Sequence, residues 1–357
     1  MLNVEGCTMI LCADIGATKT LLGLAVPDGS GDGVRVVASQ RYVAAEVASF
    51  DDMLDGFLRD HQAAQTAPLQ AACFGIAGPV TGEVVQMTNL PWRLDAQALS
   101  QQLGGIPVRL VNDFKAAASG IDALKPDELL NLQPGTALEK EPQLVIGAGS
   151  GLGVAFRVWR DHPDGHGGYY HVVPGEGGHV GFSPINAEQD RAMLRLRQHV
   201  QRVVAEHFVS GPGLANLYNC LDQDGDHGAQ VDAAHPFELQ VATAQNTNGL
   251  TGEEVFRRAT EEQDSQALHA LHHFLLCYGV VAGDHALATL ARGGVFLAGG
   301  IAQKCGPMMQ DGRFLVGFRH KGPYAELVSS FPVNVVMQPD LGLLGAAVLG
   351  ARLAVKH

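Results

Sequence analysis

Residues 9–26 have the sequence MILCADIGATKTLLGLAV. Two apolar runs, Met9 to Ala13 and Thr20 to Val26, flank the turn Asp14 to Lys19, and this pattern predicts a β-hairpin. Residues 144–158, LVIGAGSGLGVAFRV, repeat the order of strand, glycine turn and strand. Two such elements at this spacing predict two domains of related topology, each opening with a hairpin that faces phosphate. The alternative is a chance likeness between two glycine turns.

The rest of the chain alternates short apolar runs with segments of helical periodicity. The apolar runs predict further strands at residues 34–38, 71–76, 108–111 and 295–298. Apolar residues at helical spacing predict helices at residues 48–63, 114–120, 187–208, 266–291 and 343–355. The polar composition of residues 222–250 predicts an exposed loop, and residues 161–171 have the composition of a long hairpin tip.

Size, charge and cysteines restrict the class of protein. A chain of 357 residues is long enough for two domains. The formal net charge is −13 without a stripe of Lys and Arg, which argues against nucleic acids and anionic membranes as partners. The longest apolar helical stretch, Phe274 to Gly283, stops at Asp284 and is too short to span a bilayer. The six cysteines form no C-x-x-C pair, which predicts reduced core thiols in a cytoplasmic protein without a zinc site.

The two glycine turns are candidate anion sites, because a Gly-rich turn can direct several backbone N–H groups at one phosphate. A Rossmann fingerprint is disfavoured, since residues 154–158 continue as a strand rather than a helix. A P-loop kinase is excluded, since no G-x-x-x-x-G-K-[ST] sequence is present. Asp14 is assigned to Mg²⁺ through water, because a carboxylate beside phosphate requires a cation between them. The alternatives are plain hairpin turns and an Asx turn at Asp14.

Further polar groups suit phosphoryl transfer to a sugar. Asn112 and Asp113 close a buried strand, where a carboxylate can accept the proton of a hydroxyl; the alternative is a helix cap. If Asp113 begins a helix, the helix N-terminus is expected to lower its pKa. Glu176 and His179, in a glycine-flanked segment, offer complementary partners to sugar hydroxyls. Glu206 is a third candidate carboxylate, with an exposed helix residue as the alternative.

Taken together, these segments resemble the bacterial glucokinase family, the group similar to the Escherichia coli enzyme. The resemblance runs nearly end to end and rests on Ala13-Asp14-Ile15-Gly16-Ala17-Thr18, Met87-Thr88-Asn89, Asn112-Asp113-Phe114, Gly147-Ala148-Gly149-Ser150-Gly151-Leu152-Gly153, Pro174-Gly175-Glu176-Gly177-Gly178-His179, Ser210-Gly211-Pro212-Gly213, Ala298-Gly299-Gly300 and Gly342-Leu343-Leu344-Gly345. Each segment alone is a weak signal, and their order along the chain makes the resemblance specific. It implies an α/β, two-domain actin-like ATPase (RNase H-like) fold with a cleft between the domains. The corresponding boundaries are residues 1–125 with 340–357 for a small domain and residues 126–339 for a large one.

The resemblance also implies the activity. It implies a kinase that transfers the γ-phosphate of ATP to the 6-hydroxyl of D-glucose, with Mg²⁺ as cofactor and a homodimer as the assembly. Asp113 is the implied general base. The residues implied to bind glucose are Asn89, Asn112, Asp113, Glu176, His179 and Glu206. The residues implied to face ATP are Ala13, Asp14, Ile15, Gly16, Ala17, Thr18, Gly149, Ser150, Gly151, Gly299 and Gly300, the last two beside the adenosine.

Two departures from the family pattern concern the ATP site rather than the sugar pocket. Ala17 and Lys19 stand where the family usually has Gly and Asn. The chain also lacks the C-x-C-G-x-x-G-C zinc cluster of the repressor/ORF/kinase (ROK) group of sugar kinases, so the resemblance implies no zinc. Two alternatives stay open on sequence alone: a kinase for another hexose or an amino sugar, and a non-catalytic actin-like nucleotide switch.

Overall fold

The computed structural model describes residues 8–16, 18–29, 33–87, 90–162, 167–221 and 250–355. The strands are β1 (Met9–Ile15), β2 (Lys19–Pro27), β3 (Val34–Val43), β4 (Leu69–Ile76), β5 (Val84–Gln86), β6 (Arg93–Asp95), β7 (Val108–Asn112), β8 (Leu129–Gln133), β9 (Gln143–Ala148), β10 (Leu152–Asp161), β11 (Gly168–Gly175), β12 (Gly294–Ala298) and β13 (Val333–Val336). The α-helices are α1 (Phe50–Asp60), α2 (Ala96–Gln102), α3 (Asp113–Ser119), α4 (Ala187–Arg197), α5 (Gly211–Cys220), α6 (Gly252–Arg257), α7 (Ser265–Thr289), α8 (Gly299–Met309), α9 (Arg313–Arg319), α10 (Ala325–Ser329) and α11 (Leu341–Ala354). The chain forms two compact units, the first of Met1–Glu128, Arg157–Pro174 and Gln338–His357, and the second of Leu129–Phe156 and Gly175–Met337.

The first unit contains a five-stranded sheet in the order β3-β2-β1-β4-β7. β1 pairs antiparallel with β2, which confirms the hairpin predicted from residues 9–26. Because β1 is apolar on both faces, the sheet is covered on both sides. Leu11 and Ala13 share a core with α1, whereas Cys12 packs with α11 on the other face.

α1 shows why the local sequence forms a helix. Oγ of Ser49 accepts the N–H of Asp52 at 3.1 Å and caps the helix N-terminus. Phe50, Met53 and Phe57 recur at helical spacing and are buried against the sheet. Burying a side chain such as Phe57 stabilises the fold by about 1.5–3 kcal/mol.

The carboxyl ends of three parallel strands meet at one edge of this sheet. β4 runs parallel to both β1 and β7. In this register Asp14 lies opposite Gly75, which lies opposite Val111. A Cβ on Gly75 would lie 3.0 Å from that of Ala116 in α3, so glycine lets α3 approach the sheet. The residues that follow β1 and β7 are therefore brought together at this edge.

The larger sheet has the order β11-β10-β9-β12-β13-β8. β9, β12 and β13 are parallel, and β8 runs antiparallel to β13. β9 and β10 are neighbours, which confirms the second predicted strand–turn–strand element. The long helix α7 is tied to β9 by Tyr278, whose hydroxyl accepts the N–H of Ala148 at 3.3 Å and donates to the carbonyl of Ile146 at 3.2 Å. The second unit is thus an α/β unit whose central strands β9, β12 and β13 are parallel.

The segment Arg157–Pro174 groups with the first unit, although the predicted boundaries place it within residues 126–339. Arg157 is buried and forms an ion pair with Asp122. Arg352 of α11 donates to the same carboxylate at 2.8 Å. A buried guanidinium requires such a partner, so these contacts hold the segment to the first unit.

One predicted helix is wrong in length. The helix expected over residues 187–208 ends at Arg197. The N–H of Ala205 instead donates to the carbonyl of Val180 at 2.9 Å, so pairing with a distant segment replaces the helical bonds that the apolar spacing suggested. The other predicted helices are present, although α11 begins at Leu341 rather than at residue 343.

Two sequence predictions fall on parts of the chain outside the described residues. These parts are residues 222–249, predicted as an exposed loop, and residues 163–166, within the predicted hairpin tip between β10 and β11. In the described part of the chain, no helix is both long and apolar enough to cross a membrane.

Candidate functional site

Asn112 and Asp113 lie where β7 ends and α3 begins. Asn112 is the N-cap residue, because its Oδ1 accepts the N–H of Lys115 at 3.0 Å. Its Nδ2 donates to the carbonyl of Gly78 at 3.0 Å and to Oδ1 of Asp113 at 2.9 Å. The capping role therefore belongs to Asn112, and the helix does not need Asp113 as its cap.

The carboxylate of Asp113 is held through one oxygen. Its Oδ1 accepts the N–H of Phe114 at 2.8 Å and the amide of Asn112 at 2.9 Å. Across the described ranges, no other residue donates a hydrogen bond to Oδ2. A carboxylate fixed through one oxygen and open at the other can accept a proton from a bound hydroxyl.

The pKa of Asp113 is raised above its ordinary value. Burial is the largest cause, and the hydrogen bonds from the backbone N–H groups of Phe114 and of Asp113 itself, and from the amide of Asn112, lower the pKa only in part. The expectation that the helix N-terminus would lower this pKa is wrong, because desolvation of the ionised form outweighs the donors. A raised pKa makes Asp113 a stronger base than an exposed aspartate.

Asp14 lies at the same sheet edge, one residue before the end of β1. Its pKa is raised to about 6, first by burial and then by the negative charges of Asp113 and Asp340. Arg41 acts in the opposite direction, but its guanidinium is paired with Asp340 at 2.8 Å. Oxygen donors gathered with this little positive charge are suited to a hard cation such as Mg²⁺.

The first turn of α11 approaches Asp14 closely. A Cβ on Gly342 would lie 2.5 Å from Oδ2 of Asp14, so only glycine leaves the carboxylate undisturbed. Sequence reasoning used Gly342 only as part of the resemblance and missed Arg41 and Asp340. A single Arg in a strand and a single Asp before a helix carry no signal of this kind, since their partners lie far away along the chain.

The first glycine turn joins β1 to β2. The N–H of Gly16 donates to the carbonyl of Lys19 at 3.0 Å and closes the turn. Ala13 and Ile15 are buried in the core, whereas Thr18 is exposed. Two predicted site residues lie outside the described residues: Ala17 and Asn89.

In the second unit, residues 149–151 form the turn between β9 and β10. The N–H of Gly149 donates to the carbonyl of Gly151 at 2.8 Å. Oε2 of Glu206 accepts the N–H of Leu152 at 2.8 Å, and a Cβ on Gly151 would lie 2.7 Å from the same oxygen. The structure thus brings Glu206 to the glycine turn, half-buried, and it is not an exposed helix residue.

Glu176 precedes a short 3-10 turn after β11, His179 is the last residue of that turn, and both are exposed. The glycines between them pack tightly. A Cβ on Gly178 would lie 2.4 Å from a carbonyl oxygen of β10, and one on Gly177 would lie 2.9 Å from Cε1 of His285. The glycines therefore fix a turn that presents Glu176 and His179 outward, and His285 is a neighbour that sequence reasoning missed.

Gly299 and Gly300 begin α8 directly after β12, and both are exposed. Gly299 has a φ of +88°, where glycine is favoured, and a Cβ there would lie 3.0 Å from the carbonyl oxygen of Ala148. The chain therefore turns sharply from strand to helix and leaves backbone exposed at the N-terminus of α8, an end that favours negatively charged ligands.

Two α/β units, two glycine-turn elements and carboxylates at strand ends are features of sugar kinases with the actin-like ATPase fold. Solved structures agree with this class. The chain aligns with the crystal structure of a glucokinase from an Antarctic psychrotroph at a TM-score of 0.80 and 25% identity, over 96% of this chain and 99% of that one. A ROK family glucokinase from Streptomyces griseus, in complex with glucose and AMPPNP, shares the fold at a TM-score of 0.58 and 20% identity, over 97% and 100% of the two chains.

The family model described as Glucokinase matches residues 11–353. The chain is 35% identical to a glucokinase of Nostoc punctiforme over 350 residues, which are 97% of this chain and 100% of that protein. It is 32% identical to a glucokinase of Yersinia pestis over 340 residues, 95% of each. The chain therefore belongs to the glucokinase family, whose members are ATP-dependent hexose kinases. This confirms the resemblance found in the sequence and removes the nucleotide switch as an interpretation.

Proposed function

We propose that the protein transfers the γ-phosphate of ATP to the 6-hydroxyl of D-glucose, giving glucose 6-phosphate and ADP. The observation that carries the proposal is the state of Asp113. Its carboxyl group is fixed through Oδ1, its pKa is raised, and its Oδ2 accepts no hydrogen bond from another described residue. Membership of the glucokinase family supplies the two substrates.

Asp113 acts as the general base in this proposal. The 6-hydroxyl oxygen attacks the γ-phosphorus, the bond from that phosphorus to the bridging oxygen of ADP breaks, and the hydroxyl proton moves to the carboxylate. Phosphoryl transfer depends mainly on positioning and charge stabilisation, so the fixed orientation of Asp113 contributes as much as its basicity. Asn112 provides that orientation, since its side chain is itself anchored at Gly78.

Glucose recognition is assigned to six polar residues. These residues are Asn89, Asn112, Asp113, Glu176, His179 and Glu206. The carboxylates accept hydrogen bonds, and the amide and imidazole groups can also donate them. Together they match sugar hydroxyls, which both donate and accept hydrogen bonds. Glu206 holds the second glycine turn through Oε2, and its Oε1 is the oxygen we assign to the sugar.

ATP and Mg²⁺ are assigned to Asp14, to the two glycine turns, and to Gly299 and Gly300. Mg²⁺ fits the residues present, because Asp14 and its neighbours are oxygen donors whose mutual repulsion a cation relieves. Asp14 would hold the ion through water, and the bound ion would neutralise phosphate charge. Gly16 and Gly149 use their N–H groups within their own turns. The phosphate is therefore assigned to other backbone N–H groups of the two turns.

Replacing Asp113 with Asn tests the proposed base. The substitution keeps the size of the side chain and removes the proton acceptor, so kcat is expected to fall by roughly 10²–10⁴-fold. Asp60→Asn, at an exposed position on α1, is the matched control and is expected to keep wild-type kcat. Melting curves establish that both variants are folded. A near-normal kcat for Asp113→Asn would rule out its role as the base.

A panel of glucose, mannose, galactose and glucosamine tests the sugar. Buried hydrogen-bonding groups left unpaired by a wrong epimer penalise its binding, so ADP formation is expected to show the highest kcat/KM with glucose. A higher value with another sugar would reassign the substrate and leave the role of Asp113 intact.

We also propose a cytoplasmic homodimer, on the strength of the family resemblance. The cysteines that the structure describes are free and buried, which fits a reducing compartment. Light scattering on the purified protein is expected to give twice the mass of the chain, and a monomer mass would end the dimer proposal.

A further inference from the structure

Two histidines and one glutamate of the second unit come together between α4 and α7. Glu188 lies in the first turn of α4, and His269 and His273 lie one turn apart on α7. Nε2 of His273 is 2.6 Å from Oε2 of Glu188, and Nε2 of His269 is 3.4 Å from Oε1. The three candidate ligand atoms lie within 4.8 Å of one another.

The spacing of these atoms suits chelation of one ion. Histidines at positions i and i+4 project from the same face of a helix. Ligand atoms about 2.0–2.1 Å from a tetrahedral zinc ion lie about 3.4 Å apart. The contact between His269 and Glu188 already has this separation. Nε2 of His273 lies 2.6 Å from the other oxygen of Glu188, Oε2, and one ligand atom from each residue lies within 4.8 Å of the others. Rotation of the glutamate and histidine side chains can bring one oxygen and both Nε2 atoms to the zinc separation.

The cluster is buried on the side of His273 and accessible to solvent on the side of His269 and Glu188. His273 is buried, and its Nδ1 has no hydrogen-bond partner within the part of the chain that the structure describes. The side chains of His269 and Glu188 are 39% and 40% exposed. An ion can therefore enter from solvent, and a water molecule can supply a fourth ligand.

We propose that Glu188, His269 and His273 bind a divalent transition-metal ion of the zinc class. Two imidazoles and one carboxylate form the nitrogen and oxygen set that such ions prefer, whereas Mg²⁺ prefers oxygen donors alone. The expectation of no zinc site was drawn from cysteines, and this donor set contains none. The ion would join α4 to α7 as a cross-link between two helices.

The proposed ion is separate from phosphoryl transfer. His285, which contacts the turn at Gly177, lies twelve residues beyond His273 on α7, or about 18 Å along the helix axis. The ion is therefore too far along the helix to act on a group bound at the turn, and its role is in holding the helices of the second unit.

Metal binding to the full chain tests the proposal. Protein stripped with a chelator and dialysed is titrated with Zn²⁺ by calorimetry, and with Co²⁺, whose visible bands report four-coordinate geometry. One Zn²⁺ per chain is expected. His269→Gln changes a partly exposed position and is expected to weaken Zn²⁺ binding by more than the ~10–100-fold that loss of an outer hydrogen-bond partner causes in such sites.

Glu188→Gln is a second ligand variant, and its loss of affinity is expected to be similar. His272→Gln is the matched control, because His272 lies on the same helix outside the cluster and its removal is expected to leave binding unchanged. The proposal is overturned if the wild-type protein binds no Zn²⁺ at micromolar concentrations. It is equally overturned if His269→Gln and Glu188→Gln bind Zn²⁺ as tightly as the wild type.

Discussion

Replacing Asp14 with Asn removes the negative charge at the end of β1 and keeps the shape of the side chain. The pKa of Asp14 is raised from 3.8 to about 6, first by burial and then by Asp113 and Asp340. A raised carboxyl pKa means that the folded state holds the proton more tightly than the unfolded state. The ionised carboxylate therefore opposes folding above that pKa, and Asn, with the same shape and no charge, removes the opposition.

The size of the effect follows from the two pKa values. At pH 8 Asp14 is ionised in both states, and the shift corresponds to about 3 kcal/mol of lost stability. At pH 5 the folded-state carboxyl is mostly protonated and the loss falls to about half; below the unfolded pKa it vanishes. Asp14 is partly exposed, and solvent screening reduces these values, so Asp14→Asn is expected to gain ~1–3 kcal/mol at pH 8.

Thermal unfolding of the variant and the wild type measures this gain, in chelator and without nucleotide. In a domain of this size 1 kcal/mol moves Tm by about 2–4 °C, so the variant is expected to melt several degrees higher at pH 8. The difference is expected to narrow as the pH falls toward 5. Asp60→Asn, at an exposed carboxylate, is the control and is expected to show no such trend. The reasoning would be refuted if the variant and the wild type had the same Tm at pH 8, or if their Tm difference increased in acid.

The same Asp14→Asn variant is expected to need more Mg²⁺ for half-maximal activity, because the carboxylate proposed to hold the ion is gone. Higher stability and weaker activity in one variant are the usual signs of a charged group retained for function. Magnesium titrations of the kinase rate measure this second effect.

Three further measurements address neighbouring residues. Because burial raises the pKa of Asp113, kcat/KM is expected to fall in acid at a pH above the ordinary aspartate range, and a profile flat to about pH 4 would contradict this. Gly342→Ala places a methyl group 2.5 Å from Oδ2 of Asp14 and is expected to lower the free energy of unfolding by ~1–3 kcal/mol, measured by urea denaturation. Gly56→Ala, in an open position on α1, is the control and is expected to raise the free energy of unfolding by ~0.5–1 kcal/mol. Equal urea midpoints for the two variants would disprove the packing argument. Glu206→Gln keeps an acceptor for the second turn and loses the charge, so KM for glucose is expected to rise more than kcat falls, and an unchanged KM would remove it from the sugar site.

The strands of the first sheet were predictable because their signals are local. β1, β2, β4 and β7 coincide with apolar runs that end at turn residues. The apolar spacing of residues 187–208 is equally local, yet the backbone of Ala205 pairs with a distant segment and the helix stops early. Periodicity reports which side chains can be buried together, and it does not report which backbone groups compete for the same partner.

The candidate site residues remain predictions, and the electrostatics of one of them, Asp113, could not be predicted from the sequence. The dipeptide Asn112-Asp113 left open whether Asp113 acts as a base or only caps the helix, and the hydrogen bond from the N–H of Lys115 to Asn112 gives the capping role to Asn112. The predicted direction of the pKa shift at Asp113 was wrong, because desolvation depends on all the groups packed around the carboxylate.

Long-range pairs have no local signal at all. The ion pair of Arg41 with Asp340 joins residues 299 positions apart. The spacing of His269 and His273 on a predicted helix could have suggested a chelate, but the third member, Glu188, is visible only once α4 and α7 are packed together.

The packing of α11 also sets an order of events during synthesis. Leu343, Ala346 and Ala347 of this helix cover the face of the first sheet that Cys12 and Cys73 line. The strands of that sheet leave the ribosome early, whereas α11, which covers this face, is synthesised only after residues 129–337. One apolar face of the sheet is therefore bare while most of the chain is being made, a state prone to aggregation. A chain interrupted before Leu341 would keep that face bare and leave Asp14 without its glycine neighbour.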